Sequence, residues 1–170
     1  MNFFTKKRLI AIAMMLVIVG GIAFWYFNRD SDEKKIRQTI QTLCDIASKR
    51  ANENPALSLI NANAADKVFA SKCKIDFRHE MFSGSYTPTE LTSILLRSKR
   101  VLKSCEIDIR DVSIMLTSRE RASAVFTGLL DAITTDGKVV SEVRDLYCTL
   151  QKIDDSWLID SMSVRDILEK

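Results

Sequence analysis

The segment SCEIDIRDVSIML, Ser104–Leu116, decides the fold, because its alternation of apolar and polar residues changes parity halfway along. Apolar residues occupy the odd positions up to Ile109 and the even positions from Val112 onward. A strand places successive side chains on opposite faces, so a change of parity within one strand requires one extra residue. We therefore predict a single long strand with a β-bulge near Arg110 and Asp111, which bends the sheet.

The sequence after this strand predicts three more strands joined by tight turns. ASAVFTGLLDAIT leads into the pair Asp136-Gly137, which is a strong hairpin signal. VVSEVRDLYCTLQKI follows, and a turn at Asp154–Ser156 separates it from a last strand in WLIDSMSVRDIL. The second half of the chain is thus predicted to be four long antiparallel strands with one bend.

The sequence before these strands predicts mainly helices. In EKKIRQTIQTLCDIASKRAN, residues 33–52, apolar residues recur every three or four positions, which is typical of a helix with one buried face. A second helix is predicted to begin at Asn54 and Pro55 and to continue to Val68. The next segment, CKIDFRHEMF at residues 73–82, alternates like a strand.

A third helix has the clearest local signal, in YTPTELTSILLRSKRVLK. Thr87 and Glu90 form a capping box around Pro88. The predicted apolar face comprises Leu91, Ile94, Leu95, Val101 and Leu102. The predicted opposite face carries Arg97, Lys99, Arg100 and Lys103. We interpret this basic face as solvated, in preference to a docking surface for an acidic partner or for lipid headgroups.

The N-terminus predicts a membrane anchor. Residues 9–27 contain no charge, and about 19 apolar residues suffice to cross a hydrocarbon core. A cleaved signal peptide with Gly21 and Ala23 near its cleavage site is the alternative, but the run continues through aromatic residues 24–27, which favours an uncleaved anchor. Lys6, Lys7 and Arg8 precede it, so the positive-inside rule places residues 1–8 in the cytoplasm. We expect a single-pass protein of a bacterial inner membrane, with residues 28–32 as a short linker and residues 33–170 as one periplasmic domain.

The charge of that domain argues against nucleic-acid binding. The chain has 25 Lys and Arg residues and 22 Asp and Glu residues, and the tail at residues 1–8 holds three of the positive residues and none of the negative ones. The remainder is therefore balanced at 22 of each, whereas nucleic-acid-binding domains carry a concentrated basic face.

In element order, in the bent long strands and in the closing DDSWLIDSMSVRDIL, the sequence resembles the nuclear-transport-factor-2-like (SnoaL-like) superfamily. The resemblance implies an α+β cone, in which a curved, mainly antiparallel sheet wraps helices around a pocket. It also implies dimers formed through the sheet face. Members include isomerases, dehydratases and cyclases, as well as non-catalytic domains, some of them membrane-tethered parts of secretion and conjugation machines.

The chemistry available for an enzyme is sparse. His79 is the one histidine, and its strand parity places it with Ile75 and Phe77, where it would be a general base or, more commonly, a satisfied core residue. The carboxylates considered as partners for it, or as acid–base groups themselves, are Asp111, Asp131 and Asp145. We predict no cofactor site, because the five glycines form no phosphate-binding loop, and no metal site, because one histidine and four dispersed cysteines make no zinc set.

Four cysteines in an oxidising compartment leave two interpretations open. One or two disulfides among Cys44, Cys73, Cys105 and Cys148 is the first. The second is that the cysteines are small core residues, because three of them fall in the apolar sets of their elements.

Two functions follow from the sequence. The preferred one is a tethered, non-enzymatic binding or assembly domain with an envelope protein as partner, because tethering raises the effective concentration of a domain near other membrane components. The alternative is a pocket enzyme or a small-ligand-binding protein. A homodimer through the solvent face of the sheet fits either function, because exposed apolar residues there would need covering.

Overall fold

The computed structural model describes residues 31–51, 53–54, 63–77 and 83–165. Its contacts divide the chain into two units, Met1–Lys34 and Lys35–Lys170, and of the first unit only residues 31–34 are described. Within the described ranges, no helix combines the length and apolar character that crossing a membrane requires. The predicted anchor at residues 9–27 and the tail before it lie outside those ranges.

The first helix, α1, covers residues 31–47 and confirms the helical spacing seen in the sequence. It is already helical at residue 31, inside the stretch predicted as linker. Ile36, Ile40 and Cys44 recur every four positions and are all buried. After the helix, Lys49 forms an isolated antiparallel bridge with Cys105.

The region after α1 differs from the prediction. Residues 55–62 lie outside the described ranges, Asn63–Lys67 is a short 3₁₀ helix, and strand β1 is Phe69–Asp76. The second predicted helix therefore ends before Val68, and its part at residues 55–62 is not described. The predicted strand start at Cys73 is wrong, because β1 begins four residues earlier. The reason is tertiary: β1 pairs in parallel with the last strand, and the backbone oxygen of Val68 already accepts a 2.8 Å hydrogen bond from the amide of Ile159.

One six-stranded sheet carries the rest of the fold. After β1 come β2 (Gly84–Tyr86), helix α2 (Pro88–Val101), β3 (Leu102–Leu116), β4 (Arg121–Thr134), β5 (Val139–Ile153) and β6 (Ser156–Val164). The strand order is β2-β1-β6-β5-β4-β3, and every pair except β1 with β6 is antiparallel. The four long antiparallel strands are confirmed, whereas β2 was not predicted.

The bend predicted in β3 is confirmed. Arg110 faces Thr127 and Ser113 faces Val125, so β3 has one residue more than β4 between these pairs. Asp111 lies inside this bulge with φ of 54°. The bulge lets the residues before and after it point to the same face of the sheet despite their different parity.

The two predicted turns are confirmed as well. Gly137, with φ of 86°, lies in the turn between β4 and β5, and its amide donates to the oxygen of Thr134 at 3.0 Å. Asp154 and Asp155 both have positive φ, 47° and 63°, in the two-residue turn between β5 and β6. Such turns match the twist of the strands that they join.

Helix α2 has the predicted capping box. The amide of Thr87 donates to Glu90 Oε2 at 2.7 Å, and the amide of Glu90 donates to Thr87 Oγ1 at 3.3 Å. Four assignments on its faces are wrong. Leu102 and Lys103 lie in β3, beyond the end of the helix, and two residues within the helix have the opposite burial to the one predicted. Val101 is 59% exposed, whereas Lys99 is 4% exposed. The helical period explains both, because Lys99 follows Leu91 and Leu95 at steps of four and Val101 does not.

The helices cover one face of the sheet, called the inner face below. Its core includes Trp157, Phe126, Leu150, Ile159 and Ile36, each at most 2% exposed. The opposite, outer face lacks such a cover among the described residues. The pairing of β3, β4 and β5 places several exposed apolar side chains on this outer face, namely Met115, Ile133, Val139 and Val143.

An apolar cavity as candidate functional site

A cavity of about 250 Å³ lies between the two helices and the inner face of the sheet. Its helical wall is formed by Leu43, Cys44 and Ala47 of α1 and by Leu91, Ile94 and Leu95 of α2. Its sheet wall includes Phe69 and Ile75 of β1, Ile107 and Ile109 of β3, Phe126 of β4 and Met162 of β6. The cavity therefore takes side chains from both ends of the domain sequence, held in place by the sheet pairing.

The bulge of β3 and a second bulge in β6 shape this wall. Leu150 faces Ile159 while Thr149 faces Ser161, so Asp160 is an extra residue in β6. Inward side chains therefore shift from odd positions at Ile159 to even positions at Met162, which then reaches the cavity. This second bulge was not predicted.

Among the described residues the wall is apolar, and the two polar side chains that they contribute are a thiol and a phenol. Burial is the main cause that raises the pKa of the Cys44 thiol to about 11, and the carboxylates of Asp45 and Asp108 add to the rise. A thiol with such a pKa stays protonated near neutral pH and is a poor nucleophile. Tyr86, on β2, is half-buried at the cavity. The described part of the cavity wall thus offers shape and apolar surface rather than acid–base groups.

The aspartates singled out from the sequence lie elsewhere. Asp111 is exposed in the bulge of β3, and Asp131 is exposed on the outer face opposite Ser141. Asp145, also on the outer face, accepts a 2.8 Å hydrogen bond from Thr127 Oγ1. These carboxylates belong to three different strands and do not line the cavity. His79 lies outside the described residues, two positions after Phe77, which does line the cavity.

All four cysteines are buried free thiols. Cys73 is on β1 and Cys148 is on β5, and β6 lies between these strands. Two strand spacings amount to about 10 Å, and a disulfide needs Cα atoms within about 7 Å. Burial raises the pKa of both thiols to about 12. These two residues therefore serve as core side chains in this structure.

Metal binding has no support among the residues that the structure describes, because no three His, Cys, Asp or Glu side chains gather there into a set that could hold an ion.

A charged residue that the sequence analysis did not identify as buried lies near the cavity. Lys99 follows the wall residue Leu95 by one turn of α2 and is buried. Its four-residue spacing from Leu95, and that of Leu95 from Leu91, indicates that it lies on the buried face of α2. The prediction placed Lys99 on the exposed face instead, because of its charge.

Comparison with known proteins identifies the fold. No family model matches the chain, and no curated protein matches its sequence. Solved structures do match. A nuclear transport factor 2 (NTF2-like) superfamily protein from Salmonella enterica aligns with a TM-score of 0.63 and 11% identity over 84% of this chain and 95% of that chain. The Kfla4162 protein from Kribbella flavida aligns with a TM-score of 0.69 and 14% identity over 84% and 95%.

An enzyme is among the similar structures. A hexachlorocyclohexane dehydrochlorinase (LinA) Type2 aligns with a TM-score of 0.64 and 8% identity over 81% of this chain and 86% of that chain. Identities this low carry fold and not activity. The chain thus has the NTF2-like α+β fold, which confirms the fold expected from the sequence resemblance.

Proposed function

We propose that this protein binds a small apolar molecule in the cavity between its helices and its sheet. The observation that carries the proposal is the cavity itself, about 250 Å³ of space with an apolar wall. Apolar cavities take up apolar ligands, and an enclosed one of about 150 Å³ holds the six carbons of benzene. The same packing density gives a ligand of roughly ten carbons here.

The size of such a ligand sets the affinity that an experiment must detect. Transfer of roughly ten carbons out of water contributes about 8 kcal/mol, at about 0.8 kcal/mol for each. Loss of translational and rotational freedom opposes this by about 4 kcal/mol or more. The remaining 4 kcal/mol corresponds to a dissociation constant of about 1 mM. Apolar contacts alone therefore give weak binding, which NMR methods measure well.

Membrane tethering is part of the proposal, and it rests on the sequence. The uncharged run at residues 9–27, preceded by Lys6, Lys7 and Arg8, supports an anchor in the inner membrane with the domain on the periplasmic side. Apolar molecules concentrate in bilayers, so a domain held at the membrane surface meets them at higher concentration than a freely diffusing one. Tethering would therefore help the domain to capture an apolar ligand, whereas it would give little advantage in the turnover of a soluble metabolite.

Assembly with another protein is the second candidate, and the outer face of the sheet favours it. Ile133, Val139 and Val143 are 38%, 76% and 58% exposed there, and Ile133 pairs directly with Val139 across β4 and β5. Neighbouring exposed apolar side chains commonly mark a surface that another chain covers. We propose a second copy of this chain or an envelope protein as the cover, and sedimentation of the full-length protein distinguishes a dimer from a monomer.

A matched pair of variants tests ligand binding. Ala47 lies in the cavity wall, whereas Ala51, just beyond the same helix, is exposed. Ala47→Leu fills part of the cavity, and Ala51→Leu adds the same atoms to the surface. Saturation-transfer NMR of 4-propylbenzyl alcohol with the full-length protein in lipid nanodiscs, corrected with empty nanodiscs, gives the dissociation constants. We expect Ala47→Leu to weaken binding at least tenfold and Ala51→Leu to leave it unchanged. Equal binding by all three proteins, or none by the unmodified one, would contradict the proposal.

A further inference from the structure

Lys99 is a buried cation whose ammonium has no hydrogen-bond partner among the described residues. Its side chain is on α2, the residue is 4% exposed, and among the described residues its Nζ atom has no hydrogen-bond partner. Buried polar groups are nearly always paired, and an unpaired ammonium is among the most costly. Burial lowers the pKa of Lys99, and the charge of Lys49 acts in the same direction, whereas Glu53 and Cys105 act against it.

The neighbouring Lys49, in contrast to Lys99, has hydrogen-bond acceptors for its ammonium. Lys49 Nζ donates to the backbone oxygens of Lys99 and Leu102 at 2.8 and 2.5 Å. It thereby satisfies carbonyls at the C-terminal end of α2, which also favours a positive charge there. Within the part of the chain that the structure describes, the ammonium of Lys99 has no comparable acceptor, and the Lys49 side chain does not supply one, because it is a cation as well.

Three elements lead from the cavity to Lys99. On α2, Lys99 follows Leu95 of the cavity wall by one turn. On β3, Cys105 lies two residues before the wall residue Ile107 and points to the same face. Beyond the end of α1, Lys49 lies two residues after the wall residue Ala47 and pairs with Cys105. The ends of α1 and α2 and the start of β3 thus meet beyond one end of the cavity, and Lys99 is buried where they meet.

The side chain of Lys99 has the reach to serve the cavity. Helical side chains lean toward the N-terminus of their helix, so that of Lys99 leans over the turn that contains Leu95. One helical turn is about 5.4 Å, a distance that the flexible four-carbon stem of lysine spans by rotation of its side-chain torsions. Such a rotation would break no hydrogen bond between Nζ and any residue that the structure describes.

We propose that the ligand of the cavity carries a carboxylate, and that this carboxylate binds the ammonium of Lys99 while the apolar body of the ligand fills the cavity. This inference rests on the proposed function and adds the chemical class of the ligand, which is an amphipathic monocarboxylic acid of roughly ten carbons. Lys99 supplies one positive charge, and the neighbouring Lys49 is already bound by the backbone oxygens of Lys99 and Leu102. A ligand with a single negative charge therefore matches this site. A phosphate dianion would leave one charge buried and unpaired, which is strongly unfavourable.

Two ligands of the same carbon count separate the acid from the apolar body. 4-Propylbenzoate carries the carboxylate, and 4-propylbenzyl alcohol replaces it with a neutral group. Both are titrated against the full-length protein in lipid nanodiscs, with empty nanodiscs as the blank. We expect the carboxylate to bind roughly 10- to 100-fold more tightly than the alcohol, the range that a charge-assisted hydrogen bond gives.

Variants then assign the preference to Lys99. Lys99→Met removes the charge and keeps a stem of similar length, so the preference for the carboxylate should fall at least tenfold while alcohol binding changes less than twofold. Lys103→Met removes an exposed cation four residues further along the chain and serves as the control for long-range charge. The control should keep the preference of the unmodified protein.

The outcomes separate the two proposals. If the alcohol binds and Ala47→Leu blocks it, but the carboxylate is not preferred or Lys99→Met keeps the preference, the inference about Lys99 is wrong and ligand binding stands. If neither compound binds the unmodified protein, both proposals are wrong. A preference that Lys103→Met abolishes as fully as Lys99→Met does would assign it to surface charge and also overturn the inference.

Discussion

Replacing Lys99 with methionine is expected to stabilise the ligand-free protein. The ammonium is buried and lacks a hydrogen-bond partner among the described residues. A buried donor left unsatisfied costs about 1–3 kcal/mol, and replacement of buried charged groups by apolar ones of similar volume stabilises proteins by a similar amount. We therefore expect the free energy of unfolding to rise by about 1–3 kcal/mol, because methionine has nearly the length of lysine and no polar hydrogen to satisfy.

The stability gain expected for Lys99→Met depends on pH, and the pKa of Lys99 determines the direction of this dependence. Burial lowers that pKa below the 10.5 of an ordinary lysine. Below the folded-state pKa both states bind the proton, and the folded state bears the full cost of the buried charge. Between the folded-state pKa and 10.5 the unfolded state binds more protons at Lys99, so the contribution of Lys99 to stability becomes less unfavourable as the pH rises. The advantage of Lys99→Met should accordingly shrink as the pH approaches 10.5 from below.

Urea unfolding followed by circular dichroism measures this difference, with thermal unfolding as a second method. A change of 1–3 kcal/mol corresponds to a rise in Tm of about 4–12 °C for a domain of this size. Lys103→Met, at an exposed site, should stay within about 0.5 kcal/mol of the unmodified protein. A Lys99→Met protein that is less stable than the unmodified one would show that the ammonium makes a stabilising contact and would refute the reasoning.

Three other predictions test single features of the fold. Thr87→Ala removes the side chain that accepts from the Glu90 amide, and urea unfolding should show a loss of about 1 kcal/mol; no loss would mean that the capping box does not stabilise α2. Asp111→Val places a β-branched residue at positive φ and should cost about 1–2 kcal/mol, whereas Asp111→Gly should be nearly neutral; equal effects would argue against the bulge. Because burial raises the pKa of Cys148 from 9.0 to about 12, the stability that its neutral thiol contributes is full below pH 9.0 and is lost as the pH rises toward 12. Stability should thus fall above pH 9.0 with a shallower slope in Cys148→Ala, and identical slopes would contradict this assignment.

The strands were predictable because their signal is local. The two-residue period and the change of parity in β3 placed the bulge at Arg110 and Asp111, where the register of β3 and β4 has it. The same test applied to β6 would have revealed its bulge, since Trp157 and Ile159 occupy odd positions and Met162 an even one. The start of β1 was not predictable in this way, because residues 68–70 are all buried and show no alternation.

The cavity could not be predicted from the sequence, because its wall residues are indistinguishable from ordinary core residues. Leu91, Phe126 and Met162 are buried apolar side chains whether the space beside them is filled or empty. What distinguishes a cavity is volume left over after both helices pack on a bent sheet, and that depends on all the elements at once. The sequence could therefore predict the faces that form the wall but not the space between them.

Lys99 is the residue at which local pattern and residue type disagree, and this disagreement is informative about function. Its position, four residues after Leu95, lies on the buried face of α2, whereas charged side chains are normally exposed to solvent. A leucine or methionine there would satisfy both the helical period and the core, and would remove a buried ammonium that has no hydrogen-bond partner among the described residues. Positions where a sequence departs from the locally optimal residue at a cost in stability are commonly functional sites. An acidic ligand in the adjacent cavity supplies the missing partner, and on that reasoning the same substitution should raise stability and abolish the preference for a carboxylate.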